Sequence, residues 1–231
     1  MRLAFAAISA ALDQATMRIG SILIANLLAA LLSLPLLLLA VALGVIAGSL
    51  EIVILTAVLL IVVLPNPAAA GIHYLVHGFA HQDALLGAAD SRYGLRMYAG
   101  LACHLWLIGI AGTLVILGNL AFYLTLHMVM GVVLRVLWIY VLVIWLGAHV
   151  YVYPLLFEQR VKRGWLIYRS ALRMSFTRPF YTVVVSAIWL ISVVLMTVTG
   201  LIGIFGLGLT ASIQHNATRQ LLVALEDAEE A

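Results

Sequence analysis

The sequence predicts an all-α, polytopic membrane helix bundle: about six transmembrane helices in three hairpins, with short outer loops and amphipathic cytoplasmic segments. Three observations predict it. Of the 231 residues, 65% are hydrophobic and only 9% charged, whereas a soluble domain carries about 25% charged residues and presents a polar exterior. Several uncharged runs reach the roughly 20 residues that a helix needs to cross the hydrocarbon core. The basic residues are also segregated. With six crossings, eleven of the twelve Lys and Arg fall on one side and only Arg135 on the other. The side holding that excess is the cytoplasmic one, so both termini are expected inside the cell and the chain reads as a single membrane domain over residues 1–231.

Residues 1–18 read as a weakly amphipathic segment on the inner surface. The first span covers 20–48; it is uncharged and carries Pro35 midway. Its length exceeds the roughly 7–15 residues of a signal-peptide core, so it reads as a retained span. Four residues, GSLE, turn the chain into a second span at 52–76, which contains Pro65 and Pro67. Spans at 99–126 and 132–157 form the second hairpin. The charge-free stretch 180–213 is too long for one ordinary span, and TVTGLIG at 197–203 offers a break, so it divides into spans at 181–197 and 201–217. Gly44-x-x-x-Gly48 and the glycines at 200, 203, 206 and 208 suit close helix packing. GIFGLG has no flanking strand and no Lys-Ser/Thr, so a phosphate loop is excluded.

The basic cytoplasmic loop 158–180 holds six of the twelve cations. Val161, Trp165, Leu166, Leu172 and Phe176 share a stripe at helical spacing, while Arg160, Lys162, Arg163, Arg169 and Arg173 lie on its flanks and opposite face. A basic amphipathic helix with a tryptophan is an interfacial element. Arg160, Lys162, Arg163, Trp165, Arg169 and Arg173 are therefore the candidate surface for a partner or for anionic lipid. Glu51, at the outer end of the second span, and Arg135, near the outer end of the fourth, are expected to pair at the membrane edge.

His73, His77 and His81 recur every four residues and share a helical face, with Asp83 and His215 as candidate neighbours. A His-x-x-x-His pair can bind zinc, but no Glu lies in the segment, so the metalloprotease pattern is absent. The expected role is a helix end at the wet interface, with no metal and no cofactor. His104 and His149 fall inside spans and are expected to pack there, because a neutral imidazole costs less than a charge. The net charge of +3 is too small to argue for nucleic acid. The single Cys103 allows no internal disulfide.

NLLAALLSLPLLLL (26–39), PNPAAAGIHYL (65–75) and VYPLLFEQRVKRGWLIYRSALRMSFTRPF (152–180) resemble the YesL family of bacterial integral membrane proteins, a domain of unknown function. Here Pro35 and Pro65 lie further apart than in that pattern. The resemblance implies a small polytopic protein associated with carbohydrate uptake. The expected function is a non-catalytic membrane accessory protein in the cytoplasmic membrane, with membrane lipids and another membrane protein or transporter subunit as partners. The alternatives are a small transporter or channel using broken helices at Pro35 and Pro65, and, further off, an intramembrane metalloenzyme at His73 and His77.

Overall fold

The computed structural model describes residues 2–17, 19–60, 66–80, 87–126, 129–199 and 206–229, and among these it is all-helical with no strand. The helices are α1 (Arg2–Met17), α2 (Ile19–Leu32), α3 (Leu34–Ala47), α4 (Leu50–Val58), α5 (Ala70–Ala80), α6 (Ala88–Leu124), α7 (Val129–Glu158), α8 (Gly164–Thr177), α9 (Pro179–Val198) and α10 (Gly206–Glu229).

Three helices are long and apolar enough to cross a bilayer, namely Ala89–Leu124 in α6, Val129–Glu158 in α7 and Pro179–Met196 in α9. The α2–α3 pair, bent by 49°, makes a fourth if it counts as one broken span. These are helices of a membrane protein, and by length and composition alone the described residues hold three spans, or four with the bent pair. The break at Pro35 has a local cause. Proline lacks an N–H and crowds the preceding turn. Ser33 occupies the joint, donating to the Ala29 carbonyl at 2.8 Å and accepting from Asn66 Nδ2 at 2.8 Å.

The expected span 52–76 is not one helix. α4 ends at Val58, the helical path continues through Leu60, and the chain is next described at Asn66, whose side chain accepts from Ala68 N at 3.0 Å to start a 3₁₀ turn, Pro67–Ala69, that leads into α5. Pro65 lies outside the described residues. The expected sixth span, 201–217, overlaps a helix that runs on further, α10. Its core-facing half carries Thr210, Ser212, Gln214, His215, Asn216 and Thr218, all buried. Too polar for lipid, α10 is instead surrounded by α1, α2, α5, α7 and α9. Its first turn is capped from far away in sequence, with Asn26 Oδ1 accepting from Gly208 N at 2.9 Å.

At about 1.5 Å per residue, α6 and α7 reach roughly 55 and 45 Å, well beyond a hydrocarbon core of about 30 Å. Burial divides α7 accordingly. Met130, Val133, Val136, Leu137, Ile139 and Tyr140 are exposed, whereas every residue from Gly147 to Leu156 is buried. The molecule therefore has an apolar layer of lightly packed helices and an inner layer in which α5, α8 and α10 gather around the end of α7 and α1 packs on α10. α1 is docked rather than lying free on the surface. Ala4, Ala7 and Ala11 form its buried face against α10 and leave Leu3, Phe5 and Leu12 exposed.

α3 and α4 pack chiefly on each other. A methyl at Gly44 would lie 2.0 Å from Val53 Cγ2, so glycine permits this approach. Gly48, with φ at 66°, closes α3 in the left-handed conformation that glycine favours.

Candidate functional site

Two places collect the chemistry-bearing residues. The first is α8 and the turn before it. Arg163 is the extended residue preceding the helix, and Gly164 sits under the His104 ring, where a Cβ would meet His104 Cδ2 at 2.4 Å. The buried face of α8 is Ile167, Tyr168, Ala171, Met174 and Ser175. This corrects the expected stripe: Val161, Trp165 and Phe176 are 57%, 67% and 60% exposed, on the outside with the arginines.

The physical reason lies in Tyr168. Its ring stacks on Trp145 with centroids 5.3 Å apart, and its hydroxyl donates to the Leu105 carbonyl at 3.1 Å. A phenol that finds both a stacking partner and an acceptor outcompetes a purely apolar stripe for the inner position. Burial holds that phenol above its usual titration range. Trp145 in turn donates to Thr113 at 3.0 Å, and His149 Nδ1 lies 2.7 Å from the Trp145 carbonyl. His149, 2% exposed, is thus a packing residue of the α6–α7–α8 junction, whereas His104, whose ring lies over Gly164, is exposed.

The outer face of α8 is cationic. Arg160, Arg163, Arg169 and Arg173 are exposed, and no described acid pairs with any of them. Lys162 Nζ donates to the Tyr98 hydroxyl at 3.0 Å and lies 4.4 Å from that ring's centroid. Trp165 stands among these cations. All six predicted residues are exposed, and Trp165, Arg169 and Arg173 recur every four residues along one face of α8.

The second place is the histidine cluster. α5, α7 and α10 bring His73, His77 and His215 together, with ring centroids of 5.5 Å for His73–His215 and 5.6 Å for His77–His215. His73 stacks on Tyr153 at 4.0 Å, and His77 on Phe157 at 5.5 Å. His77 Nδ1 lies 3.5 Å from Glu158 Oε1. The expectation of a wet helix end is corrected for His73, which is 5% exposed, whereas His215, 3% exposed, comes from a distant helix to stand beside it as expected. The cause is the aromatic wall from α7, which encloses imidazoles that would otherwise face water. His81 and Asp83 lie outside the described residues. Among those described, no three His, Cys, Asp or Glu side chains are placed to hold one metal ion.

Below this cluster, Tyr153 donates its hydroxyl to the Asn66 carbonyl, and Asn66 reaches Ser33. A polar seam therefore runs from the α2–α3 joint to α7. Sequence reasoning missed Asn66 and Ser33 as partners because they are 33 residues apart and each looks like ordinary loop chemistry.

Glu51 and Arg135 make separate contacts. Ser49 Oγ donates to Glu51 Oε2 at 2.7 Å, within the α3–α4 turn. Arg135 donates to the carbonyls of Leu126 at 2.9 Å and Gly131 at 3.3 Å, closing the α6–α7 turn. A guanidinium near lipid satisfies its donors with the nearest free carbonyls, and a helix hairpin supplies them locally.

No family model, no curated protein and no solved structure matches the chain.

Proposed function

We propose that this chain is a non-catalytic integral membrane accessory protein that presents the outer face of α8 to a second membrane protein, such as a transporter subunit. One observation carries the reading. α8 satisfies its own bundle through Ile167, Tyr168, Ala171 and Met174, yet it keeps Trp165, Arg169 and Arg173 exposed, as the turn before it keeps Arg160 and Arg163, with no described acid paired to those arginines. Arginine and tryptophan are the side chains most enriched at interface hot spots. The sequence resemblance to YesL-type proteins supports a partner in carbohydrate uptake.

The arginine asymmetry supports a cytoplasmic membrane location with both termini inside. It also supports an even number of crossings, up to six. In that topology α10 serves as the last inward return, shielded by protein rather than facing lipid.

A photo-crosslinking residue at Trp165 in the native membrane tests the proposal. It is expected to capture one transporter-type membrane protein in stoichiometric yield, and Arg169→Gln with Arg173→Gln is expected to abolish capture. Adducts with lipid alone would reduce the surface to an anchor.

A second reading, a small transporter, is favoured by one feature: the bent α2–α3 pair meets the buried Asn66 at its joint, as discontinuous helices do at substrate sites. Solute uptake by vesicles holding only this chain would favour it over the accessory role.

A further inference from the structure

α1 and the start of α9 enclose a crevice of about 370 Å³, lined by Leu3, Ala4, Arg178, Phe180, Tyr181 and Val184 among others. We infer that this crevice binds one anionic phospholipid, with an acyl chain along Leu3, Tyr181 and Val184 and the headgroup phosphate on Arg178. The inference rests on the membrane reading but not on the accessory role.

Depth is the first support. The apolar span in α9 begins at Pro179, so Arg178 sits one residue beyond its end, where headgroups meet hydrocarbon. Phe180 beside it is 89% exposed. An aromatic ring so open at the end of a span suits the interfacial belt better than bulk water.

Charge is the second support. Arg178 is exposed, and no described acid pairs with it. Its neighbourhood in sequence, 158–180, holds six cations, and its single acid, Glu158, lies beside His77. The local field therefore attracts anions.

The shape of the crevice selects the occupant. Its walls are apolar, and Tyr181 has committed its hydroxyl to the Ala217 carbonyl at 2.9 Å, leaving its ring as wall. One cation at the mouth with apolar sides below matches an amphiphile with a single charged end. A peptide laid there would find few partners for its backbone N–H and C=O groups. The outer face of α8 is different. It is an exposed row of cations, suited to many headgroups in passing rather than to one retained molecule.

Native mass spectrometry of the full chain in detergent, titrated with phosphatidylglycerol or phosphatidylcholine, tests this. The expected result is one phosphatidylglycerol retained per chain in preference to phosphatidylcholine. Arg178→Gln, at an exposed position, is expected to weaken retention about fivefold, the effect of one basic residue near a headgroup. Leu3→Trp, which fills the crevice without touching the charge, is expected to weaken both lipids. Arg169→Gln on the open face of α8 is expected to leave the single tight lipid in place. Equal retention of the two lipids would overturn the inference, as would unchanged retention in Arg178→Gln. Displacement by inorganic phosphate would also overturn it, by showing a free-anion site. The accessory role fails separately, through crosslinking at Trp165.

Discussion

α3 and α10 invert the usual relation between polarity and burial. α3 is almost wholly aliphatic, yet Leu38, Val45 and Ile46 are 68%, 72% and 83% exposed. α10 carries Gln214, His215 and Asn216, yet these are 5%, 3% and 6% exposed. In water this would be an inside-out protein. In a bilayer it is the expected arrangement. Aliphatic side chains lose nothing by facing lipid, whereas amide and imidazole groups must find partners inside the bundle.

The difference between the two helices can be broken most directly by making the same substitution in each. Leu221→Ala in α10 removes a side chain that is 1% exposed, and is expected to cost about 2–5 kcal/mol as lost transfer energy and cavity. Leu38→Ala in α3 should change stability by no more than about 0.5 kcal/mol. Denaturant titration in detergent micelles measures both. Equal costs would mean that α3 is covered by something the chain itself does not supply.

Reversing the chemistry at the exposed site sharpens the contrast further. Leu38→Lys places a charge midway along α3. If lipid surrounds that position, membrane insertion should become less favourable by about 2.5–3.5 kcal/mol. If water surrounds it, the change should be neutral. Glycosylation-tag insertion assays read this difference directly.

Much of the apolar layer was legible in the sequence, because uncharged length is a one-dimensional signal. The spans at 99–126, 132–157 and 181–197 lie within α6, α7 and α9 almost as expected. The inner layer was not legible in the same way. Two apolar stripes compete on α8, and the winner is chosen by Trp145 and Leu105, which lie on other helices. α10 looked like a short span followed by a tail, because nothing local says that five helices surround it. The histidine spacing correctly put His73 and His77 on one face. Their enclosure by Tyr153, Phe157 and His215 is a tertiary fact that no spacing encodes.

A smaller effect is expected at the seam joining the two layers. Asn66→Ala removes the contact with Ser33 and the cap on Ala68 N, and should cost about 1–2 kcal/mol. A double-mutant cycle with Ser33→Ala should show a coupling of about 0.5–1.5 kcal/mol. Without coupling, the joint at Pro35 would be held by the proline alone.

The smallest expected effect lies at the α3–α4 and α6–α7 turns, where the comparison between buried and lipid-facing groups meets its limit. Arg135 closes the α6–α7 turn through the Leu126 and Gly131 carbonyls, and Glu51 is held by Ser49 in the α3–α4 turn. Arg135→Ala should therefore cost about 1 kcal/mol from two lost contacts at a partly exposed site. Glu51→Ala should cost less, because Glu51 is exposed and its partner is a serine only two residues away. Each change is felt within its own hairpin, so the double mutant should equal the sum of the singles within about 0.3–0.5 kcal/mol, as independent sites do. Coupling well above that would mean that the two turns meet at the membrane surface. α3 and α4 would then be packed beside α6 and α7 rather than standing apart in lipid, and the contrast between α3 and α10 would narrow.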